Sequence, residues 1–288
     1  MRVPVRSDPG VFARTTGQSI DTKVTPFITI RKPFMNPVLE QLLEMTHYLG
    51  DPAKDYAMLG EGNTSARIDD DSFYVKASGH TMSGIGAEGF VRVSTPRIME
   101  LLEDPNAGDD DVSRVYQEAV LDGPDGPRPS VEALLHAILL QIPEFSFVGH
   151  THPVNTNAIL CSVNAEKAFA GRIFPDQIVS MKHRSVFVPY VDPGLVLARE
   201  VKARLEQFIE EEGVLPAAIL MQNHGLITMG DSPKAVTSCT DMTEKSARIL
   251  VGAYAAGGPR FLEDHHVDRI FTRPDEHYRL RSIAGRNS

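Results

Sequence analysis

The feature that most constrains this chain is an alternation: apolar runs too short for helices are separated by longer stretches of helical period. The runs at 73–76, 91–93, 145–149, 186–190, 217–221 and 226–229 read as strands. Val38, Leu39, Leu42, Leu43, Met45 and Leu49 recur at helical spacing, and so do Val131, Leu134, Leu135, Ile138, Leu139 and Ile142 within 130–142. Thr95 and Ser130 are the expected caps of a helix to Leu102 and of the 130–142 helix. Further helices are expected near Asn155, from Asp192-Pro193-Gly194 to about Phe208, and after Pro233. Strands interspersed with helices on one continuous core give an α/β, sandwich-like domain. Residues 1–33 lack any period and read as an extended arm, 34–258 as the domain, and 259–288 as a charged tail. The segments 104–111 and 122–128 read as exposed.

Charge and cysteine usage remove several function classes. A formal charge of -9 and a pI near 5.6 argue against nucleic acid as a partner, because phosphate backbones need a basic surface. Cys161 and Cys239 read as small buried residues of a reducing compartment, and no Cys-x-x-Cys pair occurs. A metal site would therefore rest on histidines and carboxylates. Neither a signal peptide nor an uninterrupted membrane-length apolar run is found, so a cytoplasmic protein without membrane contact is expected.

Histidines stand where two strand-like runs end. In an extended segment alternate side chains share one side, so His150 and His152 can reach a common ion, or both can be solvated. Three imidazoles and an open position make a zinc site suited to catalysis. His224 lies in the Asn-His-Gly turn between 217–221 and 226–229, where Gly225 is expected to allow a positive φ. It is either a third ligand or a turn histidine bonding a local carbonyl. Ligand sites of α/β sheets gather at such strand ends. Glu132 falls near the start of the 130–142 helix, where a carboxylate complements the dipole or serves as a general acid/base beside a metal. His136, one turn later, reads as a supporting or core histidine and not a ligand. The loops 62–65 and 78–79 offer backbone NH, amide and hydroxyl donors fit for an anion, although turns use the same residues. Lys76 adds charge there or is a strand-exposed lysine.

Five motifs in order carry a family resemblance: Gly-Asn-Thr-Ser at 62–65, Lys-Ala-Ser-Gly at 76–79, Pro-Ser-Val-Glu at 129–132, His-Thr-His-Pro at 150–153 and Asn-His-Gly-Leu at 223–226. Across about 60–254 the chain resembles the class II aldolase/adducin family. The resemblance implies a three-layer α/β/α sandwich with a central, mostly antiparallel sheet and a homotetramer with active sites at subunit interfaces. It implies that His150, His152 and His224 bind Zn2+, or Mn2+ or Co2+, and that Glu132 moves a proton. It also implies that Gly62, Asn63, Ser78, Gly79 and Ser130 hold the phosphate of a sugar substrate. The expected reaction is cleavage of a ketose 1-phosphate to dihydroxyacetone phosphate and an aldehyde through a metal-stabilised enediolate. Epimerase, dehydratase or decarboxylase chemistry and a non-catalytic adducin-like scaffold are the alternatives.

The stretches 174–179 and 188–194 resemble the aldolase half of bacterial proteins that fuse such a domain to a short-chain dehydrogenase. No dehydrogenase half follows here, so reducing activity is not expected. Two departures stand out. Val131 replaces a second serine before the glutamate, and no tyrosine matches near 170–178, where some aldolases supply one to a neighbouring subunit. Tyr190, Tyr254 and Tyr278 are the substitutes to consider.

Overall fold

A computed structural model describes residues 35–123 and 126–273. The expected arm at 1–33 lies outside the described residues, as do Tyr278 and the last part of the expected tail.

The first helix, α1 (Pro37–Leu49), begins as its sequence dictates. Pro37 fills the first position, and the Asn36 side chain accepts from the Val38 amide at 2.9 Å. It buries Leu42, Met45 and Leu49. Three strands follow, β1 (Asn63–Asp69), β2 (Ser72–Lys76) and β3 (Phe90–Ser94). Next comes α2 (Thr95–Glu103), capped not by Thr95 but by Ser94, whose hydroxyl accepts from Arg97 N.

The stretch 104–111 is largely exposed, as read, but its end opens a helix the sequence did not announce, α3 (Asp109–Ala119), which buries Val115, Tyr116 and Ala119. The next helix starts later than its sequence suggests: α4 runs Ala133–Leu140, with Glu132 rather than Ser130 at its N-cap position. Pro129 and Ser130 are instead drawn into backbone pairing. Ala77 bridges Pro129, Ser130 N donates to Lys76 O at 3.0 Å, and Ser78 N donates to Arg128 O at 2.9 Å. This lays the segment before α4 against the loop that leaves β2.

The remaining elements are β4 (Phe147–Thr151), α5 (Val154–Leu160), α6 (Ala165–Phe169), α7 (Pro175–Met181), β5 (Val186–Val188), α8 (Leu195–Glu212), β6 (Ala218–Met221), β7 (Gly225–Gly230), α9 (Pro233–Ala255) and α10 (Asp264–Phe271). Among the described residues the sheet has seven strands in the order β3-β2-β1-β4-β7-β6-β5, and every pairing is antiparallel except β5 with β6. One face carries α1, α5 and α9, and the other α2, α4 and α8, which makes three layers. The core on the second face joins Phe73, Val75, Leu135, Leu139, Val201 and Ile219.

Beyond Gly258 the described part of the expected tail folds back. Leu262 N donates to Arg172 O at 2.7 Å, and α10 packs on α7 with Val267 buried. Cys239 is buried, whereas Cys161, expected to be buried, is exposed at the end of α5. Among the described residues no helix is long and apolar enough to cross a membrane.

Candidate metal centre

The β1–β4–β7 ladder builds the site. In register, Asn63 of β1 faces His150 of β4, and His150 faces Ile227 of β7 on its other side. His150 is 1% exposed, and its Nδ1 lies 3.1 Å from the Leu226 carbonyl. That carbonyl can only accept, so Nδ1 carries the hydrogen and Nε2 is left bare, facing the site. His152 leaves the strand end with its backbone NH donated to Tyr56 O at 2.7 Å. Its Nε2 comes within 3.0 Å of His150 Nε2, while its Nδ1 faces Glu61 Oε2 at 3.7 Å.

His224 is carried by the short turn between β6 and β7. The left-handed residue of this turn is Asn223, with φ 54°, and not Gly225 as expected. What Gly225 supplies is space: a Cβ there would lie 2.5 Å from His152 Cδ2 and 2.8 Å from Thr151 O. Asn157 Nδ2 of α5 donates to His224 O at 3.0 Å and steadies the turn, a role with no signature in the sequence.

The three histidines predicted from sequence are thus brought together: one ligand atom from each falls within 4.8 Å of the others. Glu132 joins them. Its Oε1 lies 3.1 Å from His224 Nε2 and its Oε2 3.3 Å from His150 Nε2. As the N-cap residue it caps nothing with its side chain, which is turned instead to the histidines.

Charge states follow from burial. Burial pushes His150 down to about 4, and it does the same to His152, with His150 and His224 adding to the effect while Glu61 and Glu132 oppose it. Burial alone would raise the Glu132 carboxyl. Attraction to His150 and the bonds from His224 and Asn63 outweigh that and hold it well below the usual carboxylate range. A carboxylate beside the neutral rings of His150 and His152 is a state that accepts a divalent cation.

Asn63 donates from Nδ2 to Glu132 Oε2 at 2.7 Å, and its Oδ1 is bonded to His136 Nε2. One amide hydrogen is left for a ligand. His136 is fully enclosed, its Nδ1 2.6 Å from Ser65 Oγ. Lys76 is buried, not strand-exposed, and burial holds its ammonium below the usual lysine range while Glu132 opposes the shift.

Ser130, buried, sits beside Lys76 through the pairing described above, and Ser78 and Gly79 lie exposed on the adjoining loop. Gly79 has φ +84° with nothing near its missing Cβ, an open backbone; Gly62 has φ +68°, and a Cβ there would lie 2.8 Å from His150 O. Val131 is 73% exposed beside Ser130. Tyr190 Oη is engaged by Asp192 and Tyr254 packs against the core under α9, so neither is drawn to the histidines. Sequence reasoning missed Glu61 and the link from His136 to Glu132. Only the i, i+4 spacing of Glu132 and His136 hinted at the latter.

Known proteins bear on this arrangement. The family model described as Class II Aldolase and Adducin N-terminal domain matches residues 40–251. The chain is 28% identical over 202 residues to the uncharacterized oxidoreductase YuxG of Bacillus subtilis, covering 67% of this chain and only 27% of that protein. It is 27% identical over 206 residues to methylthioribulose-1-phosphate dehydratase of Microcystis aeruginosa, covering 68% of this chain and 88% of that enzyme. A solved structure of L-fuculose 1-phosphate aldolase shares the fold at a TM-score of 0.60 and 17% identity, over 83% of this chain and 96% of that one. Because the matched span takes in every strand that delivers a histidine, together with Asn63 and Glu132, the chain belongs to the class II aldolase/adducin family.

Proposed function

We propose that this protein is a metal-dependent aldolase that cleaves a ketose 1-phosphate to dihydroxyacetone phosphate and an aldehyde. The observation that carries the reading is the convergence of three imidazoles beside one carboxylate: His152 Nε2 lies 3.0 Å from His150 Nε2, and Glu132 reaches His224 Nε2 at 3.1 Å and His150 Nε2 at 3.3 Å. Nitrogen donors in this number suit zinc with one position open to substrate, and manganese or cobalt accept the same set. His150, His152 and His224 would hold the ion, which when bound supplies Lewis-acid polarisation of the ketone and its neighbouring hydroxyl.

In cleavage the C4 hydroxyl gives up its proton as the C3–C4 bond breaks and the aldehyde forms; Glu132 takes up that proton and delivers it to C3, and in synthesis it takes a proton from the hydroxymethyl carbon of dihydroxyacetone phosphate and returns it to the new C4 hydroxyl. Ser78, Gly79 and Ser130, with Gly62 and the free amide hydrogen of Asn63, receive the phosphate, and Lys76 adds charge from below. Binding energy gained at the phosphate, remote from the reacting carbon, serves to orient it. The protein acts as a homo-oligomer, expected to be a tetramer, which light scattering measures.

Dehydration of a sugar phosphate is the second reading, favoured by a relative that spans nearly its whole length and is named a dehydratase. There Glu132 would remove the proton next to the ketone, and hydroxide would leave from the adjacent carbon. Metal analysis followed by a zinc-replete screen of dihydroxyacetone phosphate with a panel of aldehydes separates these readings. Stoichiometric metal and aldol products are expected. Metal with no aldol product, but water loss from a ketose phosphate, replaces aldolase by dehydratase. A metal-free protein would leave only a scaffold.

A further inference from the structure

Ser65, His136, Asn63 and Glu132 form one line of hydrogen bonds ending on the carboxylate. Ser65 and Asn63 lie two apart on β1 and share a face of the sheet, and His136 lies one turn after Glu132. The direction of every bond follows from the last member. An ionised carboxylate only accepts, so Asn63 must present its NH2 to Glu132 and its Oδ1 to His136. An amide oxygen also only accepts, so the facing Nε2 of His136 must carry the hydrogen. A fully enclosed neutral ring carries one hydrogen, which leaves Nδ1 bare, and Ser65 must then donate to it across 2.6 Å. The opposite tautomer would set a lone pair against Oδ1. The amide would then turn and bring its oxygen against the carboxylate.

We propose that His136 is a positioning residue for Glu132, acting through Asn63: its Nε2–H fixes the orientation of the Asn63 amide that tethers Oε2. The proposal rests on the proton-transfer role given to Glu132 above. The tether holds Oε2, which also lies 3.3 Å from His150 Nε2, at 2.7 Å, while Oε1 faces only His224 among these partners and can exchange it for substrate. A packing role for His136 would need only its volume. A tethering role needs a hydrogen-bond donor at that place.

The test compares His136→Leu, which removes the donor, with His136→Gln, whose amide NH2 keeps one. Both are loaded with zinc and assayed for exchange of deuterium from D2O into dihydroxyacetone phosphate, the half-reaction assigned to Glu132. His136→Leu is expected to lose at least about tenfold in the saturated exchange rate with KM within about threefold and zinc content retained, and Gln to stay within about threefold of wild type.

In protein labelled with 15N-asparagine, one hydrogen of the Asn63 NH2 pair, assigned with Asn63→Asp, is expected far downfield in wild type and His136→Gln, and to move to the free-amide position in His136→Leu. Equal losses in Leu and Gln, or an unmoved Asn63 signal in Leu, overturn the tether. If wild type exchanges no deuterium, the proton-transfer reading fails, and the tether is then decided by the Asn63 signal alone.

Discussion

His150 enters the site from the interior of a ladder, paired on both sides and with its ring nitrogen committed to Leu226 O, whereas Ser78 and Gly79, proposed to take the phosphate, stand on an exposed loop with open space around the glycine. One side is defined by buried backbone and the other by a turn. On the side proposed for the metal, His150 cannot be displaced without moving a strand paired on both edges. On the side proposed for the phosphate a loop can change residue or length and leave the ladder untouched. Val131, apolar and exposed where the resemblance suggests a donor, is such a change, and nothing in the sheet answers to it.

The largest test of this contrast is Glu132→Gln, which alters the group between the two sides without altering its shape. Turnover is expected to fall on the order of 10²–10⁴-fold with metal content unchanged, read by steady-state assay and elemental analysis. Surviving turnover would remove the carboxylate from the chemistry.

Acid is the next lever, because it acts on the buried side alone. Burial lowers His136 to about 4 from an ordinary 6.5, so the unfolded chain takes up the proton first. The stabilisation is present above about pH 6.5 and is lost as the pH falls toward 4. Denaturant unfolding of the metal-free protein should show a loss of about 2 kcal/mol between pH 7 and pH 5 from His136 alone, with His150 and His152 adding in the same direction. A metal-free protein equally stable at both values would mean that these rings are charged or solvated.

Paired alanines sharpen the comparison further. At Gly62 a Cβ adds contact with His150 O at 2.8 Å to an unfavourable φ, whereas at Gly79 it adds only the φ. Gly62→Ala should cost about 1–3 kcal/mol and Gly79→Ala about 1 kcal/mol in thermal or denaturant unfolding. Equal costs would dissolve the distinction between a position packed against the ladder and one on the open loop. The smallest effect expected is at Glu61, whose carboxylate faces His152 Nδ1. Glu61→Gln should weaken zinc about tenfold by chelator competition, with folding unchanged.

Much of this was legible in the residues. The apolar runs gave the strands because a buried strand must be apolar at nearly every position, as in β6 with its four buried residues. The histidines could be read because they stand at the ends of such runs. What failed depended on partners distant in sequence. The start of α4 was misread because Ser130 has the chemistry of a cap, yet Lys76 and Ala77 pull that segment into pairing. Lys76 looked like a surface residue because nothing local reveals that the same segment covers it. Helix α3 was hidden by acidic composition, its buried face being only Val115, Tyr116 and Ala119. The Asn63–His136 contact needs the β1–β4 register and α4 together, which no spacing encodes.

The third imidazole rides on the turn of the β6–β7 hairpin, while His150 lies on β4 and His152 just past its end, both much earlier in the chain. An ion held by all three, as proposed, could be captured with full affinity only once β7 has zipped onto β4. Ion uptake during refolding would then time the closure of the sheet's centre.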